Sequence, residues 1–249
     1  MAGHSHSANI AHRKAAVDKK RSKVWSKISK AIIVAVKMGG GDPDSNLRLR
    51  YAILDARAVS MPKDNIERAI KSGLGELGGA TPEECLYEGY GPGGVAVICE
   101  IMTDNRNRTA SEIRKIFDLH GGKLGATNCV AWMFERKGIF VVPADKTSEE
   151  QLMEVALEAG ADDIQHIGDK FEITCPVDMF TAVSNALDAA GITAETKQVT
   201  RIPSNTVDVT DLDTARSVMK LLEQLDDHDD VQSVVANYNM SDEIAAAAQ

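Results

Sequence analysis

Near residue 81 the chain changes its hydrophobic period, and that switch limits the fold more than any other feature of the 249 residues. Before it, apolar residues recur at helical spacing. Arg13 to Met38 contains neither Gly nor Pro, and Gly39-Gly40-Gly41 ends the run. Asp42-Pro43 sets an N-cap before a proline at the first helical position. Leu47, Tyr51, Leu54 and Ala58 then share one face of a second helix. Pro62 opens a third, short helix carrying Ile66, Ala69 and Ile70, closed at Gly73.

After the switch, β-branched runs alternate with helix patterns. Strands are predicted at 95–101, 128–135, 139–142, 164–168, 171–175, 195–202, 205–209 and 231–238, with Gly168-Asp169 as a two-residue hairpin turn. Helices are predicted at 109–119, 148–159, 177–190 and 212–225, the first opened by the capping box Thr109-Ala110-Ser111-Glu112. The order is βαβ, βαββαβ, βαβ. It predicts an α+β fold in which an N-terminal three-helix domain precedes two ferredoxin-like βαββαβ domains. These are either tandem (94–168 and 170–238) or nested, with 138–203 inserted into a domain made of 81–137 and 204–240. Periodicity leaves both open.

Charge is distributed as unevenly as structure. The net charge of -9, from 28 bases and 37 acids, argues against a polyanionic partner if taken whole. Residues 1–80 hold 15 bases and 7 acids, a net +8; residues 81–140 hold 7 and 8; residues 141–249 hold 6 and 22, a net -16. A basic head on an acidic body points toward nucleic acid. The longest strongly apolar run, Ala31 to Val36, is far short of the ~18–20 residues of a membrane span. The N-terminus has no apolar signal region. Cys85, Cys99, Cys129 and Cys175 form no C-x-x-C pair and lie in or beside apolar stretches, so they read as buried free thiols of a reducing cytosol, with no zinc site.

The first helix carries the strongest functional signal. Arg13, Lys19, Lys20, Lys23, Lys27, Lys30 and Lys37 fall within roughly a 120° arc, and Val17, Val24, Trp25, Ile28, Ile32 and Val36 fill a neighbouring one. One face packs and the other presents ammonium groups suited to phosphate, with counterion release as the driving force. The rival readings are a solvated face and a membrane-surface or partner helix. Asp18 is the sole acid before Asp42, which favours phosphate. A second, weaker cluster, Thr103-Asp104-Asn105-Arg106-Asn107-Arg108, lies between a strand and a capped helix, where loop side chains and helix N–H groups can both meet an anion; the ordinary alternative is capping by Thr109, with the two arginines pairing Glu residues.

Other motifs carry less. Gly89-Tyr90-Gly91-Pro92-Gly93-Gly94 matches G-x-G-x-x-G but leads into a strand, so a tight turn is expected instead of a dinucleotide site. Asp42-Pro43-Asp44-Ser45-Asn46 lacks the sixth-position Gly and twelfth-position Glu of an EF-hand. Asp226-Asp227-His228-Asp229-Asp230 reads as a solvated acidic loop. His4, His6 and His12 crowd the N-terminus without implying a metal cofactor. No nucleophile elbow, P-loop or H-E-x-x-H is present, so no enzyme, metal, cofactor or obligate small molecule is expected.

These residues also carry a family resemblance. Gly3-His4-Ser5, Ala8-Asn9-Ile10, His12-Arg13-Lys14 and Gly39 to Pro43 resemble the start of the YebC/PmpR family. Met61 to Ile70, Tyr87 to Gly94, Thr103 to Thr109 and Gly122 to Gly138, with its Val130-Ala131-Trp132-Met133-Phe134-Glu135 core, are similar as well. The resemblance spans essentially the whole chain. It implies the nested arrangement: 1–80, then 81–137 with 204–240, then 138–203 inserted, and a 241–249 tail. It also implies a cytoplasmic DNA-binding transcriptional regulator, with a mitochondrial translational activator and ribosome-linked bacterial members among its relatives. The motif begins at Gly3, which leaves no room for a transit peptide. His6-Ser7 stands where the family usually has Lys-Trp, removing a cation and an aromatic.

The expected function is therefore a non-enzymatic nucleic-acid-binding regulator, contacting DNA through Arg13, Lys14, Lys19, Lys20, Lys23, Lys27, Lys30, Lys37, Arg106 and Arg108. The alternatives are a ribosome-associated factor acting on ribosomal or transfer RNA, and a small-molecule-sensing or enzymatic α+β protein with an incidental basic head.

Overall fold

The computed structural model describes residues 21–248. Three helices form the head: α1 (Arg21–Gly39), α2 (Leu47–Ala58) and α3 (Lys63–Gly73). Its core is made by Ile32, Ala35 and Val36 of α1, Leu49, Ala52, Ile53 and Ala56 of α2, and Met61, Ile66 and Ala69 around α3. Trp25 leans on this core and its indole N–H donates to the Val59 carbonyl at 3.2 Å. The start of α2 differs from expectation. Asn46, rather than Asp42, is the N-cap, and Asp42 instead closes a turn by accepting from the Asp44 amide. The reason is chemical: Asn both donates and accepts. Buried Asn46 accepts from Leu49 N at 3.1 Å while its amide donates to Ala35 O and Gly40 O at 2.8 Å, so one side chain starts α2 and ends α1.

The first sheet has four antiparallel strands, β1 (Glu83–Tyr90), β2 (Ala96–Thr103), β3 (Lys123–Leu124) and β9 (Val231–Ala236), in the order β3-β1-β2-β9. Helices α4 (Arg106–Leu119) and α7 (Leu212–Asp226) bury Ile113 and Phe117, and Val218, Leu221 and Leu225. The glycine motif ends β1 with Gly89 and Tyr90, and its Gly91 to Gly94 lead toward β2 through a tight turn, with Gly93 and Gly94 at φ +69° and +77°. No helix N-terminus follows them, as the turn reading expected. Gly89 lies within β1, where a Cβ would stand 2.6 Å from Lys123 O and 2.8 Å from the Phe117 ring. Gly89→Ala is therefore expected to destabilise the protein by about 1–3 kcal/mol through overpacking, read as a lowered thermal midpoint.

The second sheet, β5-β6-β4-β7, is antiparallel and has the βαββαβ chain order of a ferredoxin-like domain. It comprises β4 (Phe134–Pro143), α5 (Glu149–Leu152, continuing as a π turn over Met153–Leu157), β5 (Asp163–Ile167), β6 (Lys170–Pro176), α6 (Phe180–Ala189) and β7 (Thr196–Pro203). The Phe140 and Phe180 rings stack at 4.8 Å. The strands expected at 128–135 and 139–142 are corrected here: 134–143 is one strand, and 131–133 is a 3-10 turn. Gly138 lies inside this strand. In the fold it is a contact point, where a Cβ would lie 2.6 Å from both Cys175 Sγ and the Phe180 ring.

The strand expected at 231–238 also divides. Residues 231–236 complete the first sheet, while β10 (Tyr238–Asn239) pairs in parallel with β8 (Val207–Asp208), ahead of α8 (Asp242–Ala248). The described residues thus group into two compact units, 21–131 with 211–236, and 132–210 with 237–247. The helical head and the first sheet belong to the same unit. Among the described residues no helix is long and apolar enough to cross a membrane.

Candidate nucleic-acid interface

Lys23, Lys27 and Lys30 recur at i, i+4 and i+7 along α1, which aligns them on one face. That face meets the acidic loop between α7 and β9. Lys23 Nζ donates to Asp227 Oδ2 at 2.8 Å and to the Asp227 carbonyl at 2.9 Å. Lys27 Nζ donates to the Asp226 carbonyl at 2.5 Å, with Asp226 Oδ1 at 3.6 Å. Lys30 Nζ donates to Asp230 Oδ1 at 2.5 Å and to the Asp229 carbonyl at 2.9 Å. The lysines also cap the C-terminal end of α7, where exposed carbonyls carry partial negative charge. Burial pushes the Lys27 ammonium below its ordinary value, against the pull of Asp226 and Asp227.

The loop read as solvated is therefore occupied. Its centre is Asp230, whose side chain is 5 % exposed. Beyond Lys30, its Oδ2 lies 2.6 Å from Thr109 Oγ1, 3.1 Å from Thr103 Oγ1 and 3.0 Å from the Arg108 guanidinium. Burial opposes the charge, but hydrogen bonds from Lys30, Thr109 and Arg108 outweigh it and hold the carboxyl well below the usual carboxylate range. Thr109 does not cap α4, as the capping box had suggested. Asn105 does, accepting from Arg108 N at 3.1 Å, which leaves Thr109 buried one turn in and aimed at Asp230.

The two arginines of the second cluster pair with acids. Arg106 holds Glu83 at 2.6 Å, and Arg108 bridges Asp104 and Asp230, each at 3.0 Å. Of the remaining sequence-derived residues, Lys37 is exposed and donates to Thr81 Oγ1 at 3.3 Å. Arg13, Lys14, Lys19 and Lys20 lie outside the described residues.

Between α1, α4 and the acidic loop lies an open cleft of about 770 Å³, lined by Lys23, Ser26, Lys30, Arg108, Lys115 and His228 among others. His228 Nδ1 accepts from the Asp230 amide at 3.1 Å, leaving Nε2 to meet Glu112 Oε2 at 2.9 Å. Glu112, His228 and Asp230 bring ligand-type atoms within 4.8 Å of one another. With Lys30 and Arg108 already on Asp230, this is a hydrogen-bonded bridge across the cleft wall, and two cations there oppose a metal ion. Lys115, Arg114 and Lys123 are exposed and make no ion pair with a described residue. None of the four cysteines is in a disulfide, and burial raises the thiols of Cys85, Cys129 and Cys175, the last to about 11, which disfavours the reactive thiolate.

Sequence reasoning missed Asp230, Thr103, Thr109 and His228 as one constellation. A second buried carboxylate, Glu88, also escaped it. Its oxygens accept from Asn128 N at 2.8 Å, Val130 N at 3.0 Å and Ala131 N at 2.7 Å.

Two family models match the chain, the TACO1/YebC protein N-terminal domain over residues 5–76 and the TACO1/YebC second and third domain over 82–238. The chain belongs to the TACO1/YebC family. A probable transcriptional regulatory protein of Rhodopirellula baltica is 58% identical to it, with 98% of each chain covered. One of Syntrophobacter fumaroxidans is 53% identical at the same coverage. The crystal structure of a conserved hypothetical protein from Aquifex aeolicus, 49% identical, superposes with a TM-score of 0.82 over 92% of this chain and 94% of that one. The N-terminal TACO1/YebC match thus contains the lysine row, and the longer match contains the loop that holds it.

Proposed function

We propose that the chain is a nucleic-acid-binding regulator of gene expression that acts by binding, and that its basic N-terminal helical domain makes the contact to DNA. The observation that carries this reading is the charge split: 15 bases against 7 acids in residues 1–80, within a chain of net charge -9. The names of its relatives as probable transcriptional regulatory proteins support the same reading. Arg13, Lys14, Lys19 and Lys20 precede the ion-paired stretch of α1 and are the first assigned to phosphate. The grip is on backbone charge, because the residues concerned are Lys and Arg, with no assigned reader of base edges.

A second reading, binding to ribosomal or transfer RNA on a translating ribosome, is favoured by one feature. Residues 138–203 carry 12 acids against 4 bases, a surface suited to the basic proteins around ribosomal RNA. Gel-shift salt titration on duplex DNA, run beside ribosome co-sedimentation, separates the two. With Arg13, Lys14, Lys19 and Lys20 changed to Gln, the slope of log affinity against log salt is expected to flatten by roughly one unit per lost phosphate contact. An unchanged slope overturns the assignment. Co-sedimentation without DNA retention favours the ribosome.

A further inference from the structure

The face of α1 best placed to hold a row of phosphates already holds a row of aspartates. Lys23, Lys27 and Lys30 sit about 4.5–6 Å apart along the helix axis, and each binds a carboxylate of one short loop together with a backbone carbonyl of that loop. The head has a core of its own. Among the described residues, polar bonds that join it to the rest of its unit include these lysine contacts, the Arg48–Glu84 ion pair and the Lys37–Thr81 bond. Beside the row, the cleft is open and carries Lys115, a cation with no ion pair to a described residue.

We infer that the Asp226–Asp230 loop is an internal stand-in for a nucleic-acid backbone, closing the lysine row of α1 until a polyanion enters the cleft and displaces it. This rests on the nucleic-acid reading above and adds a regulatory contact to it. The occupant that replaces the loop is a phosphodiester strand: a flexible series of anionic oxygens that Lys23, Lys27 and Lys30 can take one per turn, with Lys115 adding a contact the loop does not use. The outer two carboxylates hold the row more loosely than the inner one. Asp227 is 44 % exposed and Asp226 is 22 % exposed, whereas Asp230 is 5 % exposed. Displacement therefore starts at the Lys23 end and leaves the Asp230 hub in place. Because the pairs are ionic and partly exposed, salt weakens the closure and the competing strand alike.

The test is the full-length Asp226→Asn/Asp227→Asn variant, compared with wild type by gel-shift salt titration on a mixed-sequence duplex. Asn keeps the shape and removes two charges from the loop. The variant is expected to bind about tenfold more tightly near physiological salt, as when a competing internal state is removed, with a salt slope unchanged or steeper than wild type's, because salt no longer helps to open the closure. Hydrogen exchange on wild type supplies the second readout: adding duplex is expected to increase exchange of amides across 226–229. Retention of both proteins with equal affinity, or protection of the loop on binding, overturns the closure alone. Retention of neither protein, on this duplex or on a mixed-sequence RNA run beside it, overturns the nucleic-acid reading and the closure with it.

Discussion

Asp230→Ala is expected to destabilise the protein by about 3–5 kcal/mol, the usual consequence of removing one partner from a buried ion pair. The carboxylate is 5 % exposed and takes four donors, Lys30, Thr103, Arg108 and Thr109, drawn from α1, the end of β2 and the first turn of α4. Its backbone takes part too: the Asp230 carbonyl accepts from Met102 N at 2.9 Å, which fixes the entry into β9 beside β2. Alanine leaves the Lys30 ammonium and two hydroxyls facing a vacancy, and removes an anion that links the head to α4. Asp230→Asn keeps the volume but not the charge, so it recovers little. The pH dependence has a definite sign. A carboxyl whose folded-state pKa is depressed contributes its full stability above the ordinary value near 4 and loses it as pH falls through the folded value. The difference in unfolding free energy between wild type and Asp230→Ala is therefore expected to be constant from neutral pH to about 4 and to shrink below it. Urea unfolding at several pH values measures this; coincident curves at pH 7 would remove Asp230 from its central role.

The elements of this fold are written in local sequence where a single periodicity governs them. The three head helices, α6, α7 and the β5–β6 hairpin at Gly168-Asp169 are of this kind. Reading failed where a residue answers to a distant one. β1 was hidden because Glu83, Glu84 and Glu88 interrupt its apolar pattern, and Glu88 is buried for reasons lying forty residues away. Asn46 displaced Asp42 as a cap because it also serves the preceding helix. The strands expected at 128–135 and 139–142 are one strand from 134 to 143, continuous through Gly138, which packs against Cys175 and Phe180.

The candidate site divides in the same way. The lysine row and the acidic run are each visible in sequence, one as an arc and the other as a string of four aspartates around His228. Their pairing is not, since about 200 residues separate them and a helix face carries no label for its partner. A basic head in a chain with an acidic far end is a hint that some of the charge is satisfied internally. Thr109 was the clearest local misreading: Ser/Thr-x-x-Glu has the form of a capping box, and only the packing of α4 on the Asp230 corner reveals that Asn105 caps and Thr109 is buried.

Glu88→Ala is expected to destabilise the protein by roughly 3 kcal/mol and to loosen residues 125–131 before the rest of its unit. Three main-chain amides, from Asn128, Val130 and Ala131, point at the two Glu88 oxygens, and each charge-assisted bond is worth about 1.5–3 kcal/mol, less whatever water restores. Other bonds hold the same loop, and Val130 within it is fully buried. Gly125 N donates to Glu88 O at 2.7 Å, Tyr90 Oη donates to Cys129 O at 3.3 Å, and Asn128 sits at φ +65°, a left-handed conformation that side-chain residues adopt only when their surroundings hold them there. Glu88→Gln is the informative partner substitution. It keeps the length and one acceptor oxygen, but it turns the other oxygen into an NH2 that faces backbone N–H groups, so it recovers no more than part of the loss. Hydrogen exchange followed by peptide mapping distinguishes this from a general weakening. The amides of Asn128, Val130 and Ala131 are expected to lose protection by a larger factor than those of β2 and β9, whereas uniform loss across the first sheet would assign Glu88 to the sheet and not to the loop.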